Sequence, residues 1–198
     1  MKTFIISVIF LLGISFTSFA QSAWEIDKVH SAVKFGVTHL VISTVEGNFK
    51  DFSAKLSIKA DGSLENIEAD IKTNSVNTEN EGRDKDLRSD NFFASAKFPE
   101  MLFISKSIRK VGKDNYKVTG DLTIRGTTKS VVLDAKNNGT IKDPWGNTRS
   151  GWTASGKINR FDFGLSWNKT IETGGLIVGK EVTISINAEF ITKKSSII

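Results

Sequence analysis

The side chains best suited to covalent chemistry are scarce in this chain. It has no cysteine and only two histidines, His30 and His39, so a thiol nucleophile is excluded. A Ser–His–acid arrangement is open in principle, but no serine stands in a Gly-x-Ser-x-Gly elbow between a strand and a helix. The nine-residue step from His30 to His39 matches no zinc-site spacing, and a metal would need acids or a third histidine from elsewhere. His39 shares its phase with Val33, Phe35 and Val37, which makes it an inward, hydrogen-bonded core histidine. His30 has Asp27 and Ser31 beside it and can be satisfied locally. No glycine-rich phosphate cradle follows a strand and opens a helix.

The acids Asp84, Asp86 and Asp90 could serve as acid–base pairs, but they belong to the stretch Thr78–Phe93, TENEGRDKDLRSDNFF. Thr78 and Glu81 have capping-box spacing. Glu79/Arg83, Glu81/Lys85 and Asp84/Arg88 are acid-before-base pairs four apart, each supporting a helix by roughly 0.2–0.5 kcal/mol. The spacing predicts one short, charged helix over about residues 78–93, with a solvated ion-pair surface and with Leu87, Phe92 and Phe93 as its apolar anchors. Such a helix belongs at the end of a sheet, as a lid or plug, or as a crossover between strands.

Nearly everything else alternates with period two, as half-buried strands do. Tyr116 to Arg125 is the cleanest case, with Tyr116, Val118, Gly120, Leu122 and Ile124 facing one way. Val33 to His39, Thr44 to Phe52, Ala54 to Ala60, Ile67 to Thr73, Met101 to Ser105, Val131 to Ala135, Trp152 to Ile158 and Val182 to Phe190 follow the same rule. Asp61-Gly62, Asn138-Gly139, Asp143-Pro144-Trp145-Gly146 and Gly174-Gly175 supply turns or loops. The sum is an all-β antiparallel barrel or sandwich of about eight strands. Lys, Thr and Ser on the second face favour a closed barrel in water. Gly36, Gly47, Gly120 and Gly156 inside strands mark bends or close approaches.

Residues 1–20 read as a secretory signal peptide, with Lys2, an apolar run from Phe4 to Phe16 and Ser18-Phe19-Ala20 before the cleavage point. No later segment approaches the roughly 20 apolar residues of a membrane span. The mature chain, 21–198, then forms one domain, and loss of Lys2 takes the formal charge from +5 to +4. Its charges are scattered, with Lys193-Lys194 the longest basic run, so no basic stripe for nucleic acid is present.

The inner face is rich in aromatic residues: Phe35, Phe49, Phe92, Phe93, Phe103, Trp152, Phe161, Phe163 and Trp167. An eight-stranded barrel has an interior either just filled by side chains or just able to hold one small ligand. Gly, Ala, Ser and His at inward positions leave room for an elongated apolar molecule.

The chain also resembles a known family. Asp27-Lys28-Val29-His30-Ser31-Ala32-Val33-Lys34-Phe35, Thr38-His39-Leu40 and Val45-x-Gly47-x-Phe49 resemble the opening of the YceI family. So do Arg83-Asp84-x-x-Leu87-Arg88-Ser89-x-x-Phe92-Phe93, Phe98-Pro99 with Phe103, and Gly120-x-Leu122-Thr123-Ile124-Arg125-Gly126-Thr127-Thr128. Asn159-Arg160-x-Asp162-Phe163-Gly164 and Gly175-Leu176-Ile177-Val178-Gly179-x-Glu181-Val182 complete the match. One departure is Lys85-Asp86, where many members carry a histidine before the leucine, which leaves this helix without a titrating group there.

The resemblance implies an extended lipocalin-like barrel exported to the periplasm, with no catalytic residues and no metal or cofactor. It implies binding or transport of a polyprenyl lipid, an isoprenoid quinone or a fatty-acid-like chain. For the wall of such a site the expected residues are Phe35, Val37, His39, Phe49, Phe92, Phe103, Trp152, Phe163 and Trp167. Arg83, Arg88, Asn159 and Arg160 are expected near the mouth. A homodimer is compatible with this reading. The rival readings are a barrel with a filled core that binds a partner protein, and a lipid-modifying enzyme using His39 with a nearby acid.

Overall fold

The computed structural model describes residues 22–59, 63–170 and 175–192. The signal peptide read at 1–20, the Asp61-Gly62 turn, Gly174 and Lys193-Lys194 lie outside them. In chain order the strands are β1 (Ser22–Ile26), β2 (Ala32–His39), β3 (Ser43–Phe49), β4 (Phe52–Ile58), β5 (Leu64–Lys72) and β6 (Val76–Asn77). The helix α1 (Glu81–Arg88) follows, then β7 (Glu100–Lys110), β8 (Asn115–Ile124), β9 (Thr127–Lys142), β10 (Thr148–Asn159) and β11 (Val178–Thr192).

Neighbouring strands pair antiparallel in the order β1-β4-β5-β7-β8-β9-β10-β11, and β11 returns to β1 through Glu25↔Ile191 and Ile26↔Phe190. That ring is a closed eight-stranded barrel. β2, β3 and β6 extend it as an upper tier on β11, because each continues a strand of the ring after a short break. β1 and β2 are separated by a single turn at Lys28–His30, capped by the Asp27 carboxylate on the Val29 N–H at 3.0 Å. β3 and β4 are separated only by Lys50 and Asp51, which hydrogen-bond across to the matching break in the third strand. The alternation expected to run unbroken from Thr44 to Phe52 is therefore two half-strands in slightly different directions. The phase slips at the bend, from inward Val45, Gly47 and Phe49 at odd positions to inward Phe52, Ala54 and Leu56 at even ones, so a single period-two run cannot span it.

Side-chain alternation is borne out along β8, where Tyr116, Val118, Gly120, Leu122 and Ile124 are all buried and their neighbours are not. Close approach explains two of the strand glycines. A Cβ on Gly47 would lie 2.5 Å from the ring of Phe35, and one on Gly120 would lie 2.5 Å from the ring of Phe103. Both phenylalanine rings thus reach over the backbone of the next strand, where only a glycine leaves room, and both rings line the interior.

β6 is two residues long and, among the described residues, has no strand partner on its far side, so the upper wall is open between β6 and β7. Residues 78–99 cover that opening. The helix within them is shorter than expected. It starts one residue after Asn80, whose side chain accepts the Arg83 N–H at 2.9 Å, so Asn80 and not Thr78 is the cap. Thr78 instead donates its N–H (2.9 Å) and its hydroxyl (2.5 Å) to the Asp84 carboxylate, which is 4% exposed.

The solvated ion-pair surface is also corrected. None of the three acid-before-base pairs forms. Arg83 donates to the Thr78 hydroxyl (2.7 Å) and carbonyl (2.8 Å), and Arg88 to the Asp84 carbonyl (3.0 Å). The helix turns these polar groups onto its own start because its other side covers the barrel.

Candidate functional site

The barrel holds a cavity of about 230 Å³ whose facing surface is carbon throughout. Two pairs of alanines make room for it. Ala54 faces Ala69 across β4 and β5, and Ala135 faces Ala154 across β9 and β10; all four line the space. At the end of the β7–β8 and β9–β10 turns, buried Trp24, Leu64 and Tyr116 close the barrel without lining the cavity. Trp152 forms the wall just above them. Its ring is 5.5 Å from that of Tyr116, and its indole N–H donates to Ser150 at 2.9 Å.

The opposite end is roofed by irregular chain. Leu87, Phe92 and Phe93 from the 78–99 segment and Leu165 from the β10–β11 connection all line the cavity. Phe93 meets Phe49 edge-on at 5.6 Å, and Phe92 packs on Trp167 at 5.4 Å. The backbone of Phe92 is held from outside. Arg125, at positive φ in the two-residue β8–β9 turn with Gly126, donates to the Phe92 carbonyl at 2.7 Å. Thr73 anchors the end of the segment through the Phe98 carbonyl at 2.8 Å.

Of the residues expected at the site, the structure brings Phe35, Val37, Phe49, Phe92, Phe103, Trp152 and Arg160 to the cavity. Phe163 is buried beside it, and Trp167 supports Phe92 from behind. His39 has the inward phase, but it is the last residue of β2, beyond the cavity and partly exposed. Arg83 and Arg88 serve α1, as described above. Asn159 caps the turn Arg160–Phe163 by accepting the Phe161 N–H at 3.1 Å. The expected set left out much of the lining: Phe52 and Phe190, aliphatic residues such as Leu56, Met101 and Leu122, and the alanines and Leu165. Small residues in phase along β4, β5, β9 and β10 were the available signal for the alanines.

Arg160 is 4% exposed and has no carboxylate within ion-pair distance among the described residues. Its guanidinium donates to the carbonyls of Gly179 (2.8 Å), Trp167 (3.0 Å), Val178 (3.0 Å) and Leu165, and lies 4.6 Å from the Phe161 ring centroid. Burial pushes its pKa below the ordinary value. Its geometry is that of a clamp gathering the roof's backbone; only the carbon side of the group turns to the cavity.

A second charged cluster lies low on the barrel. Arg149 donates to Asp143 (2.8 Å), to Asp27 (2.7 Å) and to Glu189, and His30 Nδ1 is 3.0 Å from Asp27. The ligand atoms of Asp27, His30 and Glu189 lie within 4.8 Å of one another, as a metal site would need. Arg149 already supplies positive charge to both carboxylates, so the group reads as a latch across the β1–β2 break.

Chiefly through Arg149, and then His30, the Asp27 carboxyl is held down to about 2 from 3.8. Burial alone would raise Asp143, but Arg149, Asn147 and backbone N–H groups outweigh it and hold that carboxyl at about 2 as well. A lowered carboxyl pKa contributes stability that is complete above the unfolded value and is lost as pH falls through the folded one. Melting temperature should therefore drop steeply between about pH 4 and pH 2. Arg149→Met should melt earlier by roughly 10 °C near neutrality, with a shallower acid limb. Parallel limbs in the two proteins would show that Arg149 does not hold these carboxylates ionised.

A closed antiparallel barrel around a carbon-lined interior defines a lipocalin-like fold with an internal cavity. The comparisons agree. Residues 24–190 match the family model described as a YceI-like domain. A UPF0312 protein of Staphylococcus epidermidis is 38% identical over 176 residues, covering 86% of this chain and 98% of that one. The crystal structure of Campylobacter jejuni YCEI protein superposes with a TM-score of 0.70 at 37% identity, covering 79% of this chain and 90% of that one. A polyisoprenoid binding domain from Saccharophagus degradans shares the fold, with a TM-score of 0.62 at 17% identity over 87% of this chain and 99% of that one. The chain belongs to the YceI family.

Proposed function

We propose that this protein is a non-catalytic periplasmic carrier that buries the chain of a long apolar or amphiphilic molecule inside its barrel. The observation that carries this reading is the cavity itself, about 230 Å³ bounded only by carbon. Such a wall rewards apolar surface at roughly 25 cal/mol per Å² and offers nothing to a charged group. The chain of the ligand therefore goes in, while its head stays at the roofed end among the loops. A polyprenyl lipid, an isoprenoid quinone or a fatty-acid-like chain meets this description. The polyisoprenoid-binding description of the Saccharophagus degradans relative agrees with the first of these. Export through residues 1–20 would place the carrier between two membranes, where such molecules need a vehicle.

The test is native mass spectrometry of protein taken from its own cells, followed by organic extraction. One lipid or quinone of defined mass per barrel is the expected result. A mass equal to the bare chain, unchanged when quinones and polyprenyl lipids are added back, would overturn the proposal.

A further inference from the structure

We infer that the β2–β3 turn, Leu40-Val41-Ile42, is a finger that inserts into an anionic lipid bilayer surface. Val41 is 63% and Ile42 86% exposed, side by side at the tip of a hairpin. The backbone is committed to presenting them. Leu40 and Val41 have φ of 51° and 67°, a left-handed region that a β-branched residue such as Val41 rarely occupies. The strain is held in place by the Leu40 N–H on the Ile177 carbonyl (2.8 Å) and the Ile42 N–H on the His39 carbonyl (3.2 Å). A relaxed polar turn would serve a hairpin as well, so the apolar tip calls for a purpose.

The shape of the feature selects its occupant. Two side chains on a convex turn fall far short of the roughly 800 Å² that each partner gives to a stable protein interface. A bilayer needs no matching surface; its affinity follows the apolar area inserted and the attraction of cations to anionic headgroups. Cations flank the tip. Lys169 accepts the Ile177 N–H on its carbonyl at 3.0 Å, and Lys180 follows Gly179, whose backbone lies beside Thr38 of β2; the Lys180 ammonium rests 5.9 Å from the Phe161 ring centroid. Both lysines are exposed. Among the described residues, the neighbouring carboxylates are Glu181, already paired with Lys157 at 2.7 Å, and Glu46, farther down β3. The finger also stands at the roofed end: Val37, the last cavity-lining residue of β2, lies three residues before Leu40, and Val178, the first lining residue of β11, pairs with His39.

The experiment is co-sedimentation of the purified protein with vesicles of phosphatidylcholine, alone or with roughly 30 mol% phosphatidylglycerol. Binding is expected with the anionic vesicles. It should fall at least about tenfold in Val41→Ser/Ile42→Ser, and by a smaller factor in Lys169→Gln/Lys180→Gln. Unchanged melting of both variants keeps the reading clean, and retention of any extractable lipid should be unaffected, so this outcome is independent of what the cavity holds. Equal binding by the serine variant, or no binding to either vesicle, overturns the inference. So does a wild-type dimer in sedimentation velocity that the serine variant abolishes, since the tip would then meet a second copy of the chain.

Discussion

Arg160→Met is expected to destabilise the protein by about 3–5 kcal/mol. The wild-type side chain serves four backbone carbonyls from three places in the sequence, Leu165, Trp167 and Val178-Gly179, while almost wholly buried. Each buried acceptor left without a donor costs about 1–3 kcal/mol, and water reaching the roof's edge recovers part of that. Relief from burying a charge recovers a further part. Urea unfolding should read the difference as a midpoint lowered by roughly 1–2 M with its slope kept. Arg160→Lys should recover little, because an ammonium cannot span the fork of carbonyls. The experiment also separates two roles. A head-group anchor would lose ligand affinity at nearly constant stability; a clamp loses stability first. An unchanged urea midpoint would remove the clamp.

The second large effect concerns binding. Ala154→Phe should cut retention of the extracted ligand by about 100-fold or more, equivalent to about 2.7 kcal/mol. Ala154 sits mid-wall between Ala135 and Ile186, and a benzyl group there takes up much of the roughly 230 Å³ available. The substituent meets carbon on every side, so the variant should stay folded, with melting unchanged or raised by the filled space. Ala69→Phe tests the same expectation from β5. Retention at wild-type level in both folded variants would mean that the ligand lies elsewhere.

These two residues mark what the sequence discloses and what it hides. The strands are legible because burial on one face forces period two, and β8 follows it along its length and β11 from Val182 to Phe190. The break at Lys50-Asp51 has no glycine or proline to flag it; its one trace is a slip of phase, from inward Phe49 at an odd position to inward Phe52 at an even one. α1 is legible as a helix, but its start is not. Thr78 and Glu81 satisfy a capping pattern that Asn80 and Arg83 meet at the same spacing two residues later, and Asp84 is buried only because the segment folds over the gap beside β6. Aromatic wall residues announce themselves by phase; the alanines that create the space do not, because a small residue is equally at home in a packed core. Arg160 is the least legible of all. Its four partners are brought to it by the β10–β11 connection, and nothing local to Asn159-Arg160-Phe161 foretells them.

The seam between β1 and β11 bears on how the molecule is made. Closure rests on residues 25–26 meeting 190–191, almost the whole length of the chain apart. During synthesis the sheet keeps two free edges until the final strand is available, and the interior stays open for as long. Closing so large a loop is entropically slow, and a late seal of this kind favours all-or-none completion over gradual zippering. A hydrophobic guest present at that moment can be wrapped by the closing wall without ever passing through the finished roof.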